Sequence, residues 1–471
     1  MWQIFWSCIW QTNNHFEVLS GPMRNILLVL QLFFASATFG QGSFNMDSLF
    51  NWQDPSLVAS AAHANVYNEI WGYAKNGQEY AIIGSTAGTH IFDVTDPSLS
   101  AEVAFIEGAL TGPAVVHRDF HDYDDYLYIV CDEGNSTLQI ADLRFLPDSA
   151  PVVYDSNSLF PRSHNIFIDS SSARMYVCGG TKLFAVYSLA DPANPTLLLD
   201  CPTDVAFWSS VGYVHDVFVR GDTAYLNAEQ RGLFIVDFSN LSNVQMIGSI
   251  DVYPQQGYNH SGWLMENEPY YAFADETHGM DVKILDVSDM SDLEVTDTVS
   301  SNVHPFSIPH NLIYKDEFLF VSYYFDGLYM FDCSDPAHPV LAAFYDTSTE
   351  PQVNGFYRGC WGVYPFLPSG NILASDMQTG LWVFGSSLIS GIDNKVEREN
   401  NLAIYPNPTT ERLFIAGIQR PTQYRIVNML GNEVALGTTS SSIDVRSLQS
   451  GPYVLVLDGQ EGPFNSRFLK Q

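Results

Sequence analysis

Five histidines recur at nearly even intervals along the chain: His117, His164, His215, His260 and His310, separated by 47, 51, 45 and 50 residues. Each stands at the start of an apolar, β-prone run. An acidic series stands at the hairpins that follow: Asp132 and Glu133, Glu229, Asp275 and Glu276, Asp326, and Asp376. Neutral imidazoles with carboxylates are the ligand set of zinc, copper, iron or manganese. Carboxylates with backbone carbonyls instead suit calcium. The expected metal ligands are His164, His215, His260, His310, Asp275 and Glu276, around a divalent ion (zinc, copper or calcium) if any cofactor is present. A wider ligand-binding set comprises His117, Asp132, Glu133, Glu229, Asp326, Arg358, Trp361 and Asp376. Two other roles stay open for these residues: they can cap turns and bond neighbouring strands, or they can carry catalysis.

The elements that position them follow from a repeat. An apolar strand ending in Asp, or in Ser in the third copy, recurs at Ile91-Phe92-Asp93, Ile140-Ala141-Asp142, Val186-Tyr187-Ser188, Ile235-Val236-Asp237, Ile284-Leu285-Asp286 and Met330-Phe331-Asp332, in steps of 49, 46, 49, 49 and 46 residues. A seventh copy fades at Leu381-Trp382-Val383-Phe384. A period in the high forties, made of strands and turns, indicates the blades of a β-propeller rather than a helical solenoid. Each unit holds four short strands; in the fourth they are expected at Val214–Arg220, Thr223–Ala228, Gly232–Phe238 and Val244–Ile250, with turn residues between them. The seventh unit lacks a fourth strand, and Phe44–Trp52 is expected to supply it, closing seven blades over residues 43–386 and removing a free sheet edge. In such a ring the innermost strands line a central channel. Strand direction alternates within a blade, so the histidines and the hairpin acids should converge on one mouth of that channel. His90, His278 and His338 fall outside the register and read as loop residues.

The Asp-anchored phrase resembles the LVIVD repeat. The wider propeller resembles the choice-of-anchor B family of secreted bacterial propellers, through His164-Asn165-Ile166-Phe167, His215-Asp216-Val217, His260-Ser261-Gly262-Trp263-Leu264, Ile308-Pro309-His310-Asn311-Leu312 and the long run Trp361–Ile372. That resemblance implies a propeller in or beyond the cell envelope and implies no particular activity.

A polar linker at 387–400 leads to a second domain, 401–471. It opens with Tyr405-Pro406-Asn407-Pro408, continues through Ser450-Gly451-Pro452-Tyr453-Val454-Leu455 and ends Arg467-Phe468-Leu469-Lys470-Gln471. These residues resemble the C-terminal sorting domain of type IX secretion substrates in Bacteroidetes-like bacteria, which implies a small β-sandwich read by the secretion machinery. At the other end, Met23-Arg24-Asn25 and the apolar run Ile26–Ala35 read as a signal peptide within residues 1–42, with translation starting at Met23. The run is too short to span a bilayer comfortably, so no transmembrane segment is expected in the mature chain. Export would pass through the periplasm to the outer surface or medium.

Composition narrows function further. Aromatic residues make up 14% and charged residues 15% of the 471, and the net charge is −33. Residues 395–471 hold eight basic and seven acidic side chains, so residues 1–394 carry −34. Such a field excludes nucleic acid and anionic membranes as partners and attracts cations. Without Cys8, five cysteines remain, with no disulfide spacing. They read as small buried hydrophobes, with a Cys131–Cys178 bridge as the alternative. No phosphate-binding loop, Gly-x-Ser-x-Gly elbow or His-Glu-x-x-His helix is present. The expectation is an all-β, seven-bladed propeller followed by a small β-sandwich sorting domain. It would act as a surface binding or scaffold module for glycan or protein, using aromatics such as Trp208, Tyr253, Tyr258 and Tyr357. The alternative is a metal-dependent enzyme at the channel mouth.

Overall fold

Strands Asp216–Arg220, Thr223–Asn227, Leu233–Asp237 and Gln245–Ile250 form one antiparallel sheet in sequence order, within two residues of the strands read from the turns. The reason is local. Gly221 and Gly232 take positive φ, as tight hairpins require. The Asp at the end of the third strand then closes the next turn: carboxylates of Asp93, Asp142, Asp237, Asp286 and Asp332 each accept the main-chain N–H two residues on, at 2.8–3.0 Å. The recurring Asp of the repeat is therefore a turn cap.

The computed structural model describes residues 42–389, 403–416, 421–428, 432–459 and 462–470. Seven such sheets build the propeller. Their innermost strands begin at Tyr67, Arg118, Asn165, Asp216, Asn259, Leu312 and Cys360. Each inner strand contacts the next, and the last contacts the first, so the ring is closed. Apolar clusters fill the space between neighbouring blades. One joins Tyr128, Val130 and Ile140 of blade two to Ile166, Val177 and Tyr187 of blade three. This explains why the third strands read as continuous Val/Ile/Phe runs: both faces are buried.

Closure falls to Asp47–Trp52, which pairs antiparallel with Gly380–Gly385 in blade seven, from Asp47 opposite Gly385 to Trp52 opposite Leu381. The expected segment, Phe44–Trp52, is corrected at its start. Ser43 and Phe44 pair with Tyr345 and Phe344 and add a fifth strand to blade six. Asn45 makes the switch, with φ of 52°, and Met46 is buried in the core shared by blades six and seven. Leu388 and Ile389 pack on that same core, so the ordered propeller runs past residue 386.

The C-terminal unit has a sheet of Ala403–Tyr405, Arg412–Ala416 and Ser442–Asp444, and a second of Glu433–Thr439, Thr422–Asn428, Gly451–Gly459 and Gly462–Lys470. Leu413, Ile426, Ile443, Leu455 and Phe468 form its core. The expected signal peptide, and the linker beyond residue 389, lie outside the described residues. No helix among the described residues is long and apolar enough to cross a membrane. Cys131, Cys178, Cys201, Cys333 and Cys360 are free and buried, which removes the Cys131–Cys178 bridge. Burial pushes the Cys131 thiol up to about 11.

Candidate functional site

His117, His164, His215 and His310 lie one or two residues ahead of their inner strands, and His260 is the second residue of its own. Because equivalent positions of a closed ring lie on a circle, the five imidazoles become neighbours. Their ring centroids follow one another at 4.8, 4.1, 4.1 and 4.5 Å. Blade one has no histidine at the equivalent position. Trp361 of blade seven spans the gap, 4.6 Å from His310 and 5.4 Å from His117, and completes a six-membered aromatic ring. Gly359 permits this placement. Its φ is 100°, and a Cβ there would lie 2.1 Å from the Tyr324 carbonyl oxygen. That close approach pairs Cys360 with Tyr324.

The imidazoles are held in different ways. His117 Nδ1 bonds Glu133 at 2.5 Å, His164 Nδ1 bonds Asp132 at 2.9 Å, and His310 Nδ1 bonds the Trp361 carbonyl at 2.5 Å. Each of these leaves Nε2 available. His215 and His260 are buried, and Nδ1 of each has no hydrogen-bond partner. Glu276 approaches His260, with Oε2 3.7 Å from Nε2, while its Oε1 accepts from the Tyr324 hydroxyl at 2.6 Å.

Burial and charge set the protonation states. Desolvation pushes His215 and His260 well below the ordinary histidine value, helped by the neighbouring imidazoles, and takes His310 to about 3. Burial also opposes a charge on His164, but the bonded Asp132 carboxylate outweighs it, and the net shift is upward. Burial raises Glu276 to about 7 against the opposing Tyr324 bond. The mouth therefore combines three neutral imidazoles, His215, His260 and His310, with two histidine–carboxylate pairs, His164–Asp132 and His117–Glu133.

Above the ring a cavity of about 710 Å³ opens, lined by the five histidines, Asp132, Glu276, Tyr213, Tyr258, Tyr324, Tyr357 and Trp361. Glu229 joins indirectly by accepting from the Tyr258 hydroxyl at 2.8 Å. His278 is on a loop as expected, but it too lines the cavity.

Four expected site residues are elsewhere. Asp275 is fully buried inside blade five, where Lys283 meets it at 2.6 Å, off hydrogen-bond angles, and Tyr253 donates to it at 2.9 Å. Asp326 accepts from Ser301 at 2.5 Å. Asp376 accepts from Thr347 and from the main chain of Gln378 and Thr379. Arg358 pairs with Glu350 at 2.6 Å. Each is consumed by its own turn or blade. Trp208 and Tyr253, expected as exposed aromatics, are buried in core clusters. His90 is a buried strand residue bonded to Ser85 and Glu102 rather than a loop residue.

Sequence reasoning missed a second layer deeper in the channel. Glu69, Asp119 and Asp216 line a cavity of about 60 Å³ with Asn165, Ser261 and Asn311. Asn311 donates to Glu69 at 2.9 Å, Ile166 N–H to Asp119 at 2.6 Å and Val217 N–H to Asp216 at 2.7 Å. Desolvation raises Glu69 and Asp216 to about 7 and Asp119 well above its usual range. The signal was present in the sequence: Asp216 directly follows His215, and Asp119 comes two residues after His117.

Fold and site together define a β-propeller with a histidine-ringed channel mouth, joined to a small β-sandwich. Residues 211–252 and 311–347 match the LVIVD repeat model, and residues 403–471 match the secretion system C-terminal sorting domain model. Solved structures with a similar fold include PorZ, described as an essential bacterial surface component of the type-IX secretion system of Porphyromonas gingivalis. It is 12% identical with a TM-score of 0.46, over 89% of this chain and 61% of that one. Another is the β-propeller domain of Cps50 (Swd1) from Myceliophteria thermophila, 11% identical with a TM-score of 0.49, over 73% of this chain and 100% of that one. The computationally designed Ika8 protein is 8% identical with a TM-score of 0.42, over 69% of this chain and 98% of that one. No curated protein matches. The sorting domain makes this chain a substrate of type IX secretion, engaged by that machinery and delivered to the cell surface or beyond.

Proposed function

We propose that the exported propeller is a binding module that takes a surface glycan at the channel mouth. The carrying observation is the cavity of about 710 Å³ walled by Tyr258, Tyr324, Tyr357 and Trp361 beside Asp132 and Glu276. Its volume falls in the range of small-ligand sites, roughly 300–1,000 Å³. Aromatic faces stack on the apolar faces of sugar rings, and neighbouring acids accept sugar hydroxyls. A concave cavity of this kind favours an extended chain over a flat protein surface. Nucleophilic thiol chemistry has no support here: the five described cysteines are buried and none lines the mouth.

The test is calorimetry with oligosaccharides released from the producing cell's envelope. Tyr357, half-buried on the cavity wall, is the residue to truncate. Tyr357→Ala should weaken binding by about tenfold, equivalent to ~1.4 kcal/mol. Failure of every oligosaccharide to bind, or binding that Tyr357→Ala leaves unchanged, overturns the reading. Capture of a protein in place of glycan does so too.

One observation favours a second reading, a metal-dependent enzyme at the same mouth. His215, His260 and Glu276 bring ligand atoms within 4.8 Å of one another beside the open cavity, the donor types of a metal-dependent hydrolase. Turnover of p-nitrophenyl esters that disappears with chelator and in Glu276→Gln would support it; absence of turnover by the metal-loaded protein would exclude it for that substrate class.

A further inference from the structure

The five histidines of the mouth are not equivalent. His117, His164 and His310 each have Nδ1 bonded to a protein acceptor. His215 and His260, 6% and 4% exposed, have none: Nδ1 of each is buried with no hydrogen-bond partner. The nitrogen of His260 that faces Glu276 is the other one, Nε2, so the ligand set is defined on that side of the ring and not by Nδ1. The ring centroids of His215 and His260 are 4.1 Å apart. Glu276 stands beside them with one oxygen occupied by the Tyr324 hydroxyl and the other facing His260. Ligand atoms of His215, His260 and Glu276 lie within 4.8 Å of one another. Donors around a tetrahedral zinc-type ion with bonds near 2.1 Å are about 3.4 Å apart, so a small side-chain movement closes the set.

We propose that His215, His260 and Glu276 hold one divalent transition-metal ion, zinc or copper, in the wall of the channel mouth. Two imidazoles and one carboxylate are the donor types these ions take, and two nitrogens disfavour calcium. Tyr324 is the positioning residue: its hydroxyl fixes the carboxylate, as an outer partner commonly does for a metal ligand. All three ligands line the large cavity, so a fourth position faces solvent and an incoming ligand. The second cluster, His117, Asp132 and His164, is built differently. Asp132 is already engaged by His164 Nδ1 and Glu133 by His117 Nδ1, so these carboxylates satisfy histidines. It forms a His–carboxylate network, and His310 sits between the two clusters with its Nδ1 on the Trp361 carbonyl. The metal site takes Glu276 from the cavity wall yet does not rest on the glycan reading, because the ion is titrated in the absence of sugar.

The experiment is elemental analysis and calorimetric titration of purified full-length protein with zinc sulfate or copper sulfate after chelator dialysis. About one equivalent per chain is expected at the three-ligand site. Glu276→Gln, which keeps shape, and His215→Ala/His260→Ala should abolish uptake of that equivalent. Tyr324→Phe should weaken it about 10–100-fold. His338→Gln, on an exposed loop that does not line the mouth, should retain the equivalent. Circular dichroism and thermal unfolding establish that each variant is folded. A second, fold-independent readout comes from the unaltered protein loaded with cobalt, whose visible absorption reports a four-coordinate nitrogen–oxygen site. Two results overturn the proposal: no uptake of zinc or copper by the full chain, or uptake that persists unchanged in folded Glu276→Gln and in the double histidine variant.

Discussion

Asp275 and Lys283 offer the sharpest test of how blade five is built. Both side chains are fully buried and meet at 2.6 Å, with Tyr253 donating to the other carboxylate oxygen and Asn259 donating to Tyr253. Burial lowers the Lys283 value and the Asp275 charge opposes that shift, so each ion is tolerated because of the other. Asp275→Asn preserves shape and the Tyr253 contact but leaves the lysine ion without a counter-charge. Loss of one partner of such a pair costs about 3–5 kcal/mol. Replacing both, as Asp275→Leu/Lys283→Met, removes the two desolvation penalties together and should be neutral or stabilising by about 1–4 kcal/mol. Urea unfolding followed by tryptophan fluorescence gives the three differences and hence the coupling. Metal uptake and glycan binding should be unaffected in folded Asp275→Asn, because this carboxylate does not reach the mouth. A single-variant cost under about 1 kcal/mol would refute the buried-pair argument. Loss of the bound ion in that variant would return Asp275 to the mouth.

Three further outcomes are expected. Asp216 keeps its proton up to about pH 7 in the folded state and loses it near 3.8 when unfolded, so the folded state binds more protons in that window and stability falls as pH rises through it. Asp216→Asn should remove that contribution, leaving stability near pH 4 unchanged and raising it above pH 7 by at most about 4 kcal/mol at 1.36 kcal/mol per unit; equal effects at both pH values in urea titrations would refute it. Deleting residues 403–471 should leave the propeller folded but confined to the periplasm, and cell fractionation showing the truncated chain in the medium would contradict the sorting role. The five buried thiols should stay unreactive to a disulfide reagent until denaturant unfolds the propeller, and prompt modification of the native protein would contradict their burial.

The architecture was legible because its determinants are local. The strand-end Asp caps its own turn two residues on, and the Val/Ile/Phe runs mark strands covered on both faces. A period of 46–49 residues then repeats one blade around a ring. The histidine register was legible for the same reason: a residue at a fixed place in each repeat must return at a fixed place on the circle. The sorting domain was carried by short motifs at its beginning and end.

Four things were decided only by the tertiary structure. Asp275 and Glu276 are adjacent in sequence, yet one turns into the blade toward Lys283 and the other reaches the mouth, a choice made by the third strand of blade five. Trp361 closes the ring where blade one has no histidine at that position, because the start of its strand, at Cys360, pairs with Tyr324 of blade six. Ser43 and Phe44 leave the closing strand for blade six because Asn45 bends the chain and Met46 finds a core between two sheets. The distinction between bonded and orphaned imidazoles depends on which carboxylate reaches which ring from a neighbouring hairpin. Repeats specify a polar group's place on the circle, but its partners come from hairpins of the same blade, as Glu133 for His117, or of a neighbouring one, as Asp132 for His164, and the partners determine its charge and chemistry.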